Sequence, residues 1–541
     1  MAISTYLLLL LTHPMEFRTL VQYSIYHDKR DITAPSEHPT TGWDRPSMRR
    51  CWELLDLTSR SFSSVIKGLE GDLARVVCLF YLVLRALDTV EDDMTLPSHV
   101  KQPILRAFHQ HTLTTGWNFT DSGPNEKDRE VLVDYAVVVE EIRRLPAADR
   151  DAIVSIAQKM GVGMADFAER AESYAANQEK TEKRGAWAGE AKDDGKYLLT
   201  IASYELYCHY VAGLVGEGLS LLFAASGKES PLIAHQLELS NHMGLLLQKT
   251  NITRDVREDV EDGRFFWPRE IWGNPKYGKF ERMEQLCEAT PKLAERPSAA
   301  FKEKAALAAA NGVGQEQALY VLNAQILDAL RHATPSLDYL RLLRNQSTFN
   351  FCAIPATMAM ATLEICFNNP KVLGGNVKIR KADAAGLIMR STNPREVSLI
   401  FREYARRIHA RVTPRDPSFT GISVACGKIE QWCEHHYPSF IQLSTAPPSA
   451  YGSPATRQAI NHLDARGRTH LFYEQLETDR AQLARVEKYK ADVASGKRKP
   501  VPDAGQGDVG MWELAGYVGG GIAVLIAIIF GVVWLILQIA D

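Results

Sequence analysis

The chain has 541 residues, 45% hydrophobic and 23% charged, ordinary values for a globular protein long enough to bury a large core. Its 62 basic against 65 acidic side chains leave a net charge of -3, so no basic excess supports nucleic-acid binding. The eight cysteines form no CxxC pair and no HExxH occurs, which argues against structural zinc and for reduced core thiols in a cytosolic setting.

From the N-terminus, the apolar run at 6–11 is too short for a signal peptide. It lacks a basic n-region and leads into His13-Pro14 rather than a small-residue cleavage site. Residues 1–39 read as an extension and 40–443 as one helical domain. The apolar run 76–87 reads as a buried helix ending in an acidic cluster. A loop is expected at 112–127, then helices over 151–176, 198–225, 231–262 and 318–331, with loops at 265–279 and 370–377. Alternating strand patterns are scarce, so the fold class is all-α, with buried central helices around an active-site cavity.

Beyond this domain, 444–513 begins as a Pro/Ser/Ala-rich linker, continues as charged helical text over 457–490, and becomes a polar tether. Residues 514–540 carry no charge, and 517–539 are long and apolar enough to form a transmembrane helix. Lys488, Lys490, Lys497, Arg498 and Lys499 precede that span, and the positive-inside tendency puts everything upstream in the cytosol as a tail-anchored protein. The sequons at Asn118, Asn251 and Asn345 would matter only in a lumen. A glycan on Asn251 would obstruct the second acidic cluster.

The chemistry sits in two acidic clusters. Asp88, Glu91 and Asp92 fall at i, i+3 and i+4, and so do Asp255, Glu258 and Asp259, which on helices puts each trio on one face. Like charges so placed cost a few tenths of a kcal/mol per pair, roughly 0.2 to 0.5, so two such faces call for a cation. Oxygen-only ligands favour a hard ion, Mg2+, which completes its shell with water and substrate phosphate oxygens. Facing acidic helices in a helical bundle suit gripping a diphosphate as it leaves an allylic carbon, in a pocket whose apolar walls guard a carbocation.

Five segments carry a resemblance to the squalene synthase family over roughly residues 40–440: TSRSF at 58–62, YLVLRALDTVEDDM at 81–94, YCHYVAGLVG at 207–216, LQKTNITRD at 247–255 and FNFCAIP at 349–355. The C-terminal anchor is similar to that family's too. The resemblance implies an isoprenoid-synthase-type fold, probed by two farnesyl diphosphate molecules that condense head to head to presqualene diphosphate. Reductive rearrangement to squalene with NADPH would follow, the first committed step of sterol biosynthesis. It further implies a monomeric catalytic domain at the endoplasmic reticulum membrane. Asp88 and Asp92, with Asp255 and Asp259, would carry the Mg2+ ions. Arg60 and Arg85 would clamp diphosphate through their fork-shaped donors, although Arg85 is also placed to pair with Asp88. Gln248 and Asn251 would order metal waters and diphosphate oxygens.

Tyr207 is the family's candidate for taking the proton lost as the cyclopropane closes. By spacing alone, Tyr204, Tyr207 and Tyr210 also read as an aromatic core stripe. Phe62, Phe349 and Phe351 would face the carbocation, or else are core packing. No GxGxxG follows a strand, and the resemblance points instead to Lys378 and Arg380 for the 2'-phosphate, which otherwise read as a solvent-facing basic turn. Arg257, inside the second acidic segment, is expected to point away from the ions. The competing readings are a non-reducing phytoene- or dehydrosqualene-type synthase and, from another class, a silent tail-anchored scaffold.

Overall fold

The computed structural model describes residues 9–26, 30–93, 95–181, 198–288, 290–293, 298–438, 488 and 495. The chain divides into two units, Met1–Ile441 and Gln442–Asp541, and the fold described here is that of the first. The linker, charged segment and membrane span expected between 444 and 540 lie outside the described residues, apart from the isolated positions 488 and 495.

Among the described residues every regular element is helical. The principal helices are α1 (Pro14–Tyr26), α2 (Pro46–Thr58), α3 (Arg60–Lys67), α4 (Leu73–Asp92), α5 (Ser98–His111), α6 (Tyr135–Arg143), α7 (Ala147–Thr181), α8 (Ile201–Cys208), α9 (Leu214–Ala225), α10 (Leu237–Arg254), α11 (Val256–Glu261), α12 (Gln315–Leu330), α13 (Ala333–Leu342), α14 (Gln346–Cys366), α15 (Lys381–Arg390), α16 (Pro394–Arg411) and α17 (Phe419–His436), and a further 12-residue helix spans Ala299–Ala310.

α4 is apolar on nearly every side, with Val76, Leu79, Leu82, Val83, Leu87 and Val90 all buried. A helix of that kind has no face to give to water, and α4 packs among α2, α5, α7 and α9. α10 is the second central helix, held by α9, α12, α13 and α14. Between them runs a continuous rod, α8 and α9 joined by a π-helical turn at His209–Gly213. The rod meets both acidic helices at glycine. A Cβ on Gly218 would sit 2.4 Å from Phe80 Cζ on α4, and one on Gly244 of α10 would sit 2.4 Å from the carbonyl oxygen of Ala212. Only hydrogen fits at either place, which lets the three elements lie close together.

Two helical stretches, Ile201–Ala225 and Gln346–Cys366, are long and apolar enough to cross a membrane, but 44% and 72% of their most apolar windows are buried inside the protein. The second is a core helix, and the first is the rod that packs against α4 and α10. The single helix expected over 231–262 is instead a 3-10 turn at Pro231–His235, then α10, a break at Asp255, and α11. Expected loops at 265–279 and 370–377 contain short helical turns, Arg269–Trp272 and Lys371–Gly374. All eight cysteines are free and buried, as reduced core thiols.

N-terminal to the domain, α1 packs along α15. Arg30 fastens the next segment down, with its guanidinium donating to Thr40 Oγ1 at 3.0 Å and to the carbonyl of Gly71 at 3.1 Å.

Candidate active site

The C-terminal end of α4 presents the first carboxylates. Arg85 Nη1 lies 3.5 Å from Asp88 Oδ2, and its Nε lies 3.6 Å from Asp128 Oδ2. Two guanidinium nitrogens also donate to the Tyr81 hydroxyl at 3.2 Å. Arg85 therefore pairs with Asp88, and it also spans to the loop that α4 faces. One cation does not balance this end. Burial pushes the Asp88 carboxyl up to about 7, Arg85 opposing and Asp92 and Asp128 adding to the rise. Burial, then Asp92 and Asp88, push Glu91 well above the usual carboxylate range, and Asp92 is raised as well.

Asp93, next in sequence, has a different job. It is buried and accepts from Thr95 N and Oγ1 at 2.9 and 2.6 Å and from Gly123 N at 2.7 Å. Those bonds outweigh its burial and hold its carboxyl below the ordinary value. It ends the helix and anchors the following loop.

The second carboxylates straddle the break after α10. Arg254 grips Asp255 through two bonds, Nε to Oδ1 at 2.7 Å and Nη2 to Oδ2 at 2.5 Å. Asn376 Nδ2 donates to Asp255 Oδ1 at 2.7 Å and to Glu258 Oε2 at 3.4 Å. These partners hold Asp255 at the junction, where φ is -94° and ψ is 8°, so Asp255 and Asp259 do not share one uninterrupted helix as the spacing predicts. Asp259 is buried and bonds Arg264 Nη2 at 2.9 Å. Burial still pushes it up to about 6, with Asp255 and Asp92 contributing. Asp92 thus acts on Asp259 across the gap, and the two clusters form one electrostatic site.

Arg264 lies between them. It pairs with Asp259 and Asp262, and its charge also opposes the rise at Asp92 and Glu91. The sequence reading missed it, although an arginine closing an acidic run is the visible signal. Arg257 points away from the carboxylates as expected, donating to Glu261 at 2.7 Å and to the carbonyls of Cys287 and Leu373 at 3.1 and 3.3 Å.

Tyr207 sits on α8 just before the π-turn, 8% exposed. Its ring stacks on Phe266 at 5.1 Å and meets Phe167 edge-on at 5.4 Å. Burial, followed by Glu91, Asp92, Cys208 and Asp88, pushes its phenol far above its ordinary value. The carboxylates at the end of α4 therefore act on Tyr207 through space. Phe266 and Phe167 were also missed, the first inside text read as a loop and the second inside an ordinary amphipathic pattern.

The other predicted residues are placed as follows. Gln248 is half-buried and Asn251 exposed on α10, ahead of Asp255. Arg60 is the first residue of α3, with its side chain outside the described residues. Phe62, 40% exposed, stands two residues on, its N–H capped by Ser59 Oγ at 3.1 Å. α3 packs on α14, where Phe349 and Phe351 are buried and Phe351 meets Phe223 edge-on at 6.2 Å. Lys378 and Arg380 are exposed just before α15, and Arg380 is ion-paired with Glu16 of α1. Among the described residues no three His, Cys, Asp or Glu side chains converge as a ready-made metal cage.

A family model described as squalene/phytoene synthase matches residues 55–289, which include both acidic helix ends and Tyr207. The squalene synthase of Ganoderma lucidum is 57% identical over 444 residues, 82% of this chain and 88% of that protein. Those of Mycosarcoma maydis and Schizosaccharomyces pombe are 50% and 45% identical, over 82% and 78% of this chain and 72% and 81% of theirs. A solved structure of TcSQS in complex with a ligand superposes with a TM-score of 0.60 at 36% identity, covering 72% of this chain and 100% of that one.

Proposed function

We infer the reaction from kinship and site together: the chain belongs to the squalene/phytoene synthase family and, within it, stands with the squalene synthases. It is an enzyme that joins two farnesyl diphosphates head to head into presqualene diphosphate and rearranges that reductively to squalene, with NADPH as the reductant. The relatives at 45–57% identity carry the squalene synthase name, which favours the reductive reaction over a phytoene- or dehydrosqualene-type outcome.

The observation that carries the site is that Asp88, Asp92 and Asp259 are all raised, first by burial, with Asp92 adding to the rise at Asp88 and, across the gap between α4 and α11, at Asp259. Buried carboxylates gathered at one place call for positive charge, and their donor set is oxygen alone, so they fit Mg2+. Asp88, Glu91 and Asp92 would hold ions from one side and Asp255 and Asp259 from the other. With no closed cage among them, water and diphosphate oxygens would complete each shell. Bound there, Mg2+ supplies the positive charge that draws diphosphate from the allylic carbon.

Arg85 and Arg60 orient the departing diphosphate, Arg85 from a position fixed by Tyr81 and Asp128. Gln248 and Asn251 would bond its oxygens and the waters of the ions. Tyr207 holds its hydroxyl where the proton leaving the closing cyclopropane is received, and offsetting the carboxylate charge removes the field that opposes its ionisation. Phe266 and Phe167 fix the Tyr207 ring and exclude water from it. Phe62, Phe349 and Phe351 line the path of the cation with apolar surface.

Lys378 and Arg380 would take the 2'-phosphate of NADPH. Exposed cations at the start of α15 fit such a group, although Glu16 competes for Arg380. The bound nicotinamide supplies the hydride of the second half-reaction. The catalytic unit would work as a monomer facing the cytosol, tethered by 517–539 at the endoplasmic reticulum membrane, where a water-insoluble product can partition.

The test is product analysis of the full chain in detergent micelles given farnesyl diphosphate and Mg2+. Squalene only with NADPH, and presqualene diphosphate without it, is the expected outcome. Dehydrosqualene in both conditions would make it a non-reducing enzyme; no diphosphate release would leave a silent scaffold.

A further inference from the structure

α1 turns an unusual surface outward. Met15, Ile25 and Tyr26 are 67%, 68% and 77% exposed, with Val21 also exposed. At about 100° per residue these four fall within roughly 140° of arc, so they form one face. The opposite side of the helix carries Glu16, Phe17, Leu20 and Tyr23, all less exposed, and α1 packs on α15. Just upstream, residues 9–12 are helical, with Leu11 82% exposed and Leu10 exposed too. The text before them, Tyr6-Leu7-Leu8, is apolar as well. Single exposed apolar side chains are normal, but a run of them along one helix marks an interaction surface.

We propose that this face of α1 lies in the boundary between headgroups and acyl chains of a bilayer, a membrane contact separate from the apolar segment at 517–539. The proposal rests on the tail-anchored reading for the presence of a bilayer. The residue pattern selects lipid as the occupant. Arg18 is exposed within the apolar arc and is long enough to carry its charge up to the headgroups while its stem stays apolar. Tyr26 ends the helix with a ring that suits the interface. At the start of the neighbouring α15, Lys381 is exposed. An aliphatic stripe bordered by cations and an aromatic ring is the composition of a helix lying in the plane of an anionic membrane surface. The Glu16 to Arg380 ion pair on the helix's inner side would keep the outer side turned to the lipid.

The experiment uses the full chain in vesicles of phosphatidylcholine with and without phosphatidylserine. Cysteines introduced as Leu11→Cys, Ile25→Cys, Leu232→Cys and Val424→Cys take an environment-sensitive dye selectively, because the native cysteines are buried. Leu232 and Val424 are isolated exposed apolar residues and serve as controls. Spin-labelled lipids should quench the dye at 11 and 25 several-fold more than at 232 and 424, and phosphatidylserine should increase the difference. Vesicle association with equally weak quenching at all four positions would overturn the α1 contact while leaving the C-terminal anchor standing. A dye at 11 and 25 shielded in the vesicles from both the spin-labelled lipid and a water-soluble quencher would overturn it in favour of a cover from this chain or a second copy. No vesicle association would overturn the contact and the anchor together.

Discussion

Lys249 Nζ lies 2.6 Å from Asp328 Oδ2, the lysine side chain with 0% and the aspartate with 5% of its surface exposed. A second bond at 3.1 Å reaches Glu205 on α8, two residues before Tyr207, and Arg331 pairs with both acids. One buried ammonium thus ties the helix of the phenol, the helix of the second carboxylates and α12 to a common point. Lys249→Met leaves Asp328 buried with Arg331 alone, and should cost about 3–5 kcal/mol in thermal or denaturant unfolding. Lys249→Met with Asp328→Leu should cost clearly less than the two single changes added together. Strict additivity would show that the pair is not coupled.

Asp88 gives a pH signature. Its folded carboxyl is raised to about 7, above the ordinary unfolded value, so its stabilising share is complete at low pH and is lost as pH rises through 7. Without divalent ions, Asp88→Asn should melt roughly 2–4 °C above wild type at pH 8, with the gap narrowing at pH 6. Mg2+ should reverse that order at pH 8 while product formation in the variant falls on the order of a hundredfold or more. Equal melting of the two proteins at both pH values in chelator would refute the account of Asp88.

Tyr207→Phe keeps the ring between Phe266 and Phe167 and removes only the hydroxyl. Presqualene diphosphate formation should drop about 10²–10⁴-fold with the melting temperature little changed. Phe266→Ala should instead lower both, because it opens the stack at 5.1 Å, although the loss of stability at this half-buried ring should fall short of the roughly 3–5 kcal/mol of a fully buried phenylalanine. A Tyr207→Phe enzyme with normal turnover would remove Tyr207 from the chemistry.

Glu16 and Arg380 make a prediction of opposite signs. Releasing Arg380 with Glu16→Gln should lower the KM for NADPH by roughly two- to fivefold, the scale of an exposed ion pair. Arg380→Ala should raise that KM and leave the KM for farnesyl diphosphate unchanged. If neither variant alters the NADPH response, the 2'-phosphate binds elsewhere.

What the sequence reveals of this architecture follows the range of the interactions involved. The apolar text of α4 and the i, i+3, i+4 carboxylates after it are local patterns, and they correctly mark a buried helix ending in a charged site. The break at Asp255 is not legible in this way, and one partner at the junction is far from local: Asn376, which bonds that carboxylate, lies 121 residues away. The same holds for Lys249, whose partner Asp328 is 79 residues distant and which reads in the sequence as one more polar residue on a helix. Phe266 was hidden because an aromatic pair beside Trp-Pro looks like a turn. Only its stacking on Tyr207 from a different element gives it a role. The π-turn has no clear mark in HYVAG either, since a π-turn arises where packing on both sides of a rod demands an extra residue.

That extra residue is a frozen insertion. A regular helix advances about 100° per residue, so winding 209–213 as plain α-helix with every residue kept would turn everything before it by up to roughly that angle relative to everything after. Tyr207 would then leave Phe266 and the carboxylates while Gly218 stayed against Phe80. The wide turn works as a spacer that takes up one residue and keeps the two halves of the rod in register.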